Sequence, residues 1–397
     1  MKTVLIVTYM PLHKEPRVIR QIQALSNDYQ IFTIGSTPSN YNNITHYSTI
    51  SSFKKKYNKH IVFKIFRKLN KYLNRLKILL NINILNILFN DLGLEYMLSQ
   101  NIIKPDIIIA HDLNGLYLSS ELKKKHKWEC KIHFDAHEYF PNQLSSSFKW
   151  KLFIRPIVLW VLKKCKNDIS IMSTVCDGIA REYEKFFKYP AGSVRVITNA
   201  ADYNNISKPL NLAEDKIRLI HHGGAIKERK LDLMIKMMKY LDPEKYELTF
   251  MLVKSNPKYY DYLVKLSKKY INIKFIEPVP FSEIINTLNS YDIGVYLILP
   301  EHYNHKHCLP NKLFEFIQAR LAIAIGPSIE MKKMVEQYNL GIASERFTPK
   351  SLASSIKQMT PEKIMEYKMN ADKYAKKLSG EENMVKIRDI VAELTRV

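Results

Sequence analysis

Glu315 stands where a carboxylate could meet a ribose. It belongs to the stretch 309–330, LPNKLFEFIQARLAIAIGPSIE. Pro310 and Asn311 can open a helix, since Asn is a favoured cap and Pro punctuates the entry. Leu313, Phe314, Ile317 and Leu321 recur at helical spacing, so Glu315 projects from the first turn or two. The start of such a helix, at Asn311 and Lys312, offers N–H groups and a positive dipole end that suit a phosphate. A carboxylate one turn deeper can then hydrogen-bond a ribose diol. An amphipathic helix with a solvated glutamate would give the same pattern, so other residues must decide.

A second set of candidates sits at predicted strand ends. The apolar run 105–110 ends in His111-Asp112, and 131–135 ends in Asp135-Ala136-His137-Glu138. Ligands of open parallel sheets bind outside the carboxyl ends of the strands. Two such ends, each with a histidine and a carboxylate, favour chemistry over a structural hydrogen bond. Further on, the strand 217–222 runs into Gly223-Gly224, and Lys227-Glu228-Arg229-Lys230 precedes a helix over 231–241. His302, His305 and His307 form an H-x2-H-x-H cluster beside Cys308. With no acid, and no cysteine besides Cys308, suitably placed, a sugar-pocket loop is expected rather than a zinc site.

The elements that must position these residues alternate. Strands are expected over 3–8, 29–35, 105–110, 131–135, 168–173 and 194–198, with a helix over 17–25 after the first. The pattern restarts with strands over 217–222, 247–253, 273–275, 293–297 and 321–325. Helices are expected over 231–241, 258–270, 281–289, 350–359, 362–378 and 381–395. Alternation in two blocks predicts an α/β chain of two doubly wound, Rossmann-like parallel-sheet domains facing each other across a cleft. At 397 residues the chain suits two domains, each with its own core. The expected division is 1–205 and 206–375, with a C-terminal helix in 376–397 packing back across them. No G-x-G-x-x-G follows the first strand, so a dinucleotide fingerprint is excluded.

Hydrophobic residues at 46% and charged residues at 25% describe a soluble globular protein, not a disordered one. Neither a signal peptide nor a membrane-spanning run is read from the sequence, and the four cysteines are scattered, which predicts reduced thiols in the cytoplasm. The net charge of +23 asks for an anionic partner. Ten basic residues fall between Lys54 and Lys77, inside an insertion of about 51–95 that carries Phe63, Phe66, Leu69, Leu73 and Leu76. Six more lie between Tyr139 and Asn167, among Trp150, Phe153, Ile154, Ile157, Trp160 and Val161. Basic and apolar residues at helical spacing predict an anionic membrane surface, reached from the cytoplasmic side, rather than nucleic acid.

The ordered segments AHDLNG, FDAHEYFP, TVCDGIAREY, VITNAADY, HHGG with RKLD, and LPNKLFEF resemble GT-B glycosyltransferases of the family 4 type. The resemblance runs from EPRVIR near the N-terminus to about Gly341. It implies a retaining hexosyltransferase that moves sugar from a nucleotide-sugar donor to an acceptor. With the basic amphipathic stretches, it suggests a lipid-linked glycan acceptor in capsule, O-antigen (lipopolysaccharide) or exopolysaccharide assembly. Carried over by position, Glu315 matches the ribose-binding glutamate, and Gly223 and Gly224 the glycine turn. Arg229, Lys312 and Asn311 fall at the diphosphate, and His111 faces the transferred sugar. Arg17, Asp135, His137 and Glu138 are acceptor-side candidates.

Two departures stand out. The family's E-x7-E has His307 in place of the first glutamate, and Gly224 replaces the usual arginine of the glycine turn. No D-x-D occurs, which predicts transfer without a metal or other cofactor, protein cations taking that part. A non-catalytic GT-B-like binding protein and a nucleotide-sugar epimerase remain as alternatives.

Overall fold

The computed structural model describes residues 1–38, 44–49, 94–144, 146–205, 207–212 and 216–396. The basic run 54–77, and all but the last two residues of the insertion 51–95, lie outside the described residues. The chain divides into two compact units. Unit 1 holds Met1–Val175, Ile179–Ile197 and Met384–Val397, and unit 2 holds Cys176–Gly178 and Thr198–Asn383.

Unit 1 is built on seven strands: β1 (Thr3–Val7), β2 (Gln30–Gly35), β3 (Thr45–Ser48), β4 (Ile107–His111), β5 (Lys131–Ala136), β6 (Ile169–Thr174) and β7 (Arg195–Val196). Their order is β3-β2-β1-β4-β5-β6-β7, every neighbour parallel. The chain first winds outward from β1 through β2 and β3, then crosses to β4 and winds the other way. That reversal makes a switch point between β1 and β4, where open α/β sheets bind their ligands. Val4, Leu5, Ile6 and Val7 of β1, and Ile108, Ile109 and Ala110 of β4, are fully buried. Central strands covered on both faces read as unbroken apolar runs.

Unit 2 repeats the scheme with six parallel strands: β8 (Ile217–Gly224), β9 (Tyr246–Val253), β10 (Ile273–Ile276), β11 (Ile293–Tyr296), β12 (Ala322–Ile325) and β13 (Gly341–Ala343). The order β10-β9-β8-β11-β12-β13 puts its switch point between β8 and β11. The helix Asn311–Gln318 lies close on β11. A Cβ at Gly294 would meet the Phe316 ring at 2.4 Å, so only glycine permits that approach.

The last helix, Gly380–Thr395, contributes to unit 1. Met384, Ile387, Ile390, Val391 and Leu394 join one apolar cluster with Val4, Ile6, Val18 and Ile22. The segment 139–167 also forms helices, Phe148–Phe153 and Arg155–Cys165. Trp150, Ile157 and Val161 turn into the core, while Phe148, Leu152 and Ile154 are exposed. Its apolar residues are thus split between packing and solvent. Among the described residues no helix is long and apolar enough to cross a membrane.

Candidate functional site

Unit 1 brings its strand-end candidates together by register. His111 of β4 pairs with Asp135 of β5, which pairs with Ser173 of β6. In a parallel sheet, partners in register point to one face. The helix Pro16–Leu25 covers them with Arg17 and Gln21, one turn apart and therefore on one side. Arg17 clasps Asp135 bidentately, Nε to Oδ2 and Nη2 to Oδ1, both at 2.7 Å. Its Nη1 donates to the Ile197 carbonyl at 2.7 Å. Gln21 Nε2 donates to Asp135 Oδ2 at 3.0 Å, and Ser173 Oγ to Oδ1 at 2.8 Å. Burial alone would push the Asp135 carboxyl up, but the Arg17 guanidinium holds it well below the usual carboxylate range.

His111 is sealed in the same network. Its Nε2 lies 2.8 Å from Gln21 Oε1, and its Nδ1 lies 3.1 Å from His137 Nε2. Burial holds its pKa well below the ordinary histidine value, so it is neutral, and Asp135 only partly offsets this. His137 is one-fifth exposed and stands between the network and a cavity. That cavity, of 570 Å³, is lined by Glu15, Asp112, His137 and Glu138 together with the apolar Ile157, Val158 and Val161. Burial pushes the carboxyls of both Glu15 and Glu138 up. Asp112 follows β4 with φ at 59°, a left-handed conformation uncommon for a side-chain-bearing residue.

His111, Asp135 and His137 bring potential metal-ligand atoms within 4.8 Å of one another. Their hydrogen bonds argue against that use. Both Asp135 oxygens already accept from Arg17, and His111 spends both ring nitrogens on Gln21 and His137. A cation there would also face the Arg17 guanidinium.

Unit 2 gathers cations at its switch point. Gly223, at the end of β8, has φ at 121°, a backbone region that suits glycine. A Cβ there would stand 3.5 Å from Lys312 Nζ and 4.0 Å from Arg229 Nη1, so both cations border the bare Cα. Lys312 Nζ lies 3.3 Å from His221 Nε2 and 4.2 Å from the centroid of the Tyr296 ring. His221 Nδ1 lies 2.9 Å from the Val295 carbonyl, which can only accept. The ring is therefore the Nδ1–H tautomer, and its Nε2 lone pair faces the ammonium. Burial and then the Arg229 charge hold the Lys312 pKa well below the usual lysine range.

Glu315 is buried one turn along the same helix, with Oε2 3.2 Å from His222 Nε2. Burial, and then Lys312, push His222 down to about 3, so it is neutral. Pro310 takes the cap position of this helix, and Asn311 is its first helical residue. Gly224 follows Gly223 at the end of the strand. His307 is turned to Glu330, Nδ1 to Oε1 at 3.1 Å. His302 and His305 lie against each other, ring centroids 3.6 Å apart and tilted by 40°. Gln21, His221, His222 and Tyr296 enter these sites without having stood out in the sequence. The i+4 spacing from Arg17 and the position just before the glycine pair are the signals for Gln21 and His222.

No family model matches the chain, and no curated protein matches it in sequence. Solved structures do. Sucrose-phosphate synthase from Thermosynechococcus elongatus superposes with a TM-score of 0.71 at 9% identity, over 99% of each chain. The Anabaena protein HepE in complex with UDP gives 0.67 at 10% identity, over 99% of this chain and 100% of that one. A glycosyltransferase from Rickettsia africae gives 0.65 at 13% identity, over 100% and 99%. With its two all-parallel sheets, the chain has the GT-B fold.

Proposed function

We propose that the protein is a glycosyltransferase moving a hexose-type sugar from a nucleotide-sugar donor to a lipid-linked glycan acceptor, with retention of anomeric configuration. The observation that carries the reading is the pair of cations, Lys312 and Arg229, flanking the bare Cα of Gly223, with Glu315 one turn further on. A diphosphate would accept hydrogen bonds from both cations. Glu315 would take the ribose hydroxyls. As the glycosidic bond breaks, negative charge grows on the leaving diphosphate, and fixed cations stabilise it without a divalent metal. HepE is described in complex with UDP and with UDP-glucose, which makes UDP-glucose the first donor to try.

On the acceptor side, the unit 1 cavity with its polar and apolar walls suits an amphiphilic glycan carrier. Phe148 and Leu152 stand exposed beside Lys149 and Lys151, a composition suited to an anionic membrane surface. Such a protein would act at the cytoplasmic face of a membrane, in capsule, O-antigen or exopolysaccharide assembly. An epimerase would have no use for an acceptor cavity, and a binding protein would have none for leaving-group cations.

The test is a thermal-shift panel of UDP, GDP, ADP, CMP and dTDP with their sugar conjugates. Ligands that bind only the native state stabilise it by mass action, about 2.7 kcal/mol at a hundredfold excess over Kd. UDP is expected to raise Tm, and Glu315→Ala to abolish the shift and the turnover of UDP-sugars. Wild-type turnover in Glu315→Ala would sink the assignment. No shift with any nucleotide would favour a non-catalytic role.

A further inference from the structure

The hydrogen bonds around His111 fix more than its position. Asp135 is an ionised carboxylate, so it can only accept, and Gln21 must turn its NH2 group towards Oδ2. The Gln21 carbonyl oxygen then faces His111, and His111 must carry its proton on Nε2. His111 is neutral, so its Nδ1 holds a lone pair. The 3.1 Å contact to His137 is therefore donated by His137, from Nε2–H. It follows that in neutral His137 the remaining nitrogen, Nδ1, is bare. That nitrogen belongs to a residue lining the cavity, and among the described residues it makes no hydrogen bond.

We propose that Gln21 and His111 are positioning residues that lock His137 in this tautomer, and that His137 Nδ1 takes the proton from a neutral, hydroxyl-bearing acceptor seated in the unit 1 cavity. The chemistry of the step rests on the glycosyltransferase reading above. The acceptor O–H proton passes to His137 Nδ1, and the oxygen, entering on the face from which the diphosphate departs, forms its bond to the anomeric carbon. The bond from that carbon to the diphosphate breaks, and its electron pair leaves with the nucleoside diphosphate. The imidazolium then returns the proton to water. This differs from a transfer in which the departing diphosphate itself takes the proton.

Carboxyl groups face the His137 ring. From the start of the helix Asp112–His126, Asp112 Oδ1 lies 3.8 Å from His137 Nδ1, and from β5 Asp135 Oδ2 lies 3.9 Å from Nε2. Glu15, ahead of the first helix, and Glu138 share the cavity wall, and the Arg17 charge behind them is spent on Asp135. An imidazolium is attracted by these carboxylates, whereas an anionic ligand is repelled. The cavity is thus suited to uncharged sugar hydroxyls, with any phosphate of a carrier outside it.

The test uses the full chain labelled with ring-15N histidine and read by long-range 1H–15N correlation near neutral pH. His137 is assigned by the signals lost in His137→Gln. The expected spectrum shows both His111 and His137 protonated on Nε2. Gln21→Leu, or the gentler Gln21→Met should the first not fold, is expected to give His137 a mixture of tautomers. A His137 protonated on Nδ1 in the wild type, or tautomers untouched by both Gln21 variants, would overturn the relay. For the proton transfer, His137→Gln is expected to lower kcat by about 10²-fold or more, with donor KM unchanged and the acid limb of the pH–rate profile lost. A change below about threefold would overturn it. If the wild type turns over no sugar nucleotide, the transferase reading and this step fall together, while the spectrum still decides the relay.

Discussion

In unit 1 the buried carboxylate of Asp135 is met by a bidentate arginine, a glutamine and a serine; in unit 2 the cations Lys312 and Arg229 border Gly223, and among the described residues neither is paired with a carboxylate. Both groups stand at the switch point of a parallel sheet. The difference lies in what completes them. Asp135 is satisfied by the protein itself, so its network is scaffold and holds histidines in one orientation. Lys312 has a histidine lone pair and an aromatic face, which orient an ammonium without cancelling its charge. An anion has to come from outside. Charge compensation thus separates a group that organises a site from one that receives a ligand.

The largest effect should come from breaking the compensated side. Arg17→Met leaves a buried carboxylate without its countercharge, and removing one partner of such a pair typically costs about 3–5 kcal/mol. Urea unfolding should show the loss near neutral pH. A change under about 1 kcal/mol would mean that Asp135 is solvated or protonated after all, and the comparison would fail.

The matching change in unit 2 should have the opposite sign. Lys312→Met keeps the packing on Tyr296 and removes a buried charge, so the protein without nucleotide should hold its stability or gain about 1 kcal/mol. The same variant should lose most of the stabilisation by UDP. A variant destabilised like Arg17→Met would show that Lys312 is structural.

The sequence made these two groups legible to different degrees. Alternating apolar strands gave away both sheets, because central parallel strands such as β1 and β12 are apolar along their length. Glu315 could be named because a lone acid on an apolar helix is conspicuous, whereas Gly223, Arg229 and Lys312 are named by the family resemblance. His221 and Tyr296 could not, since each lies within a run that reads as core strand. Gln21 is a neutral side chain on a surface-type helix, and only the fold reveals that its face is buried. The helix Asp112–His126 gives little periodic signal: Gly115 through Ser120 are buried consecutively, so no polar stripe marks an outer face. The partners of the histidine cluster 302–307 are likewise visible only in the fold. His307 is turned to Glu330, while His302 and His305 lie against each other.

The smallest effect is a pH dependence. Lys312 in the folded protein has a pKa well below the lysine range, from burial and then from the Arg229 charge. Between that depressed value and the ordinary lysine value of about 10.4, the unfolded chain binds a proton that the folded chain does not. Stability therefore rises with pH through this window, by at most about 1.4 kcal/mol per unit from this one group. Asp135 behaves differently: its contribution is already complete above the ordinary carboxyl range and is lost only as pH falls through its depressed folded value. From pH 7 to 10 it is silent. Burial pushes the core tyrosines up, so near the top of this range tyrosines ionise only in the unfolded chain, in wild type and Lys312→Met alike. The stability difference between the two proteins thus isolates Lys312, and any advantage of the methionine variant should shrink steadily as pH rises. Saturating UDP should flatten the wild-type slope, because the diphosphate supplies the countercharge and raises the Lys312 pKa back towards the ordinary lysine range. A difference that stays constant from pH 7 to 10 would mean that the ammonium is already compensated without a ligand, and the contrast between the two units would be lost.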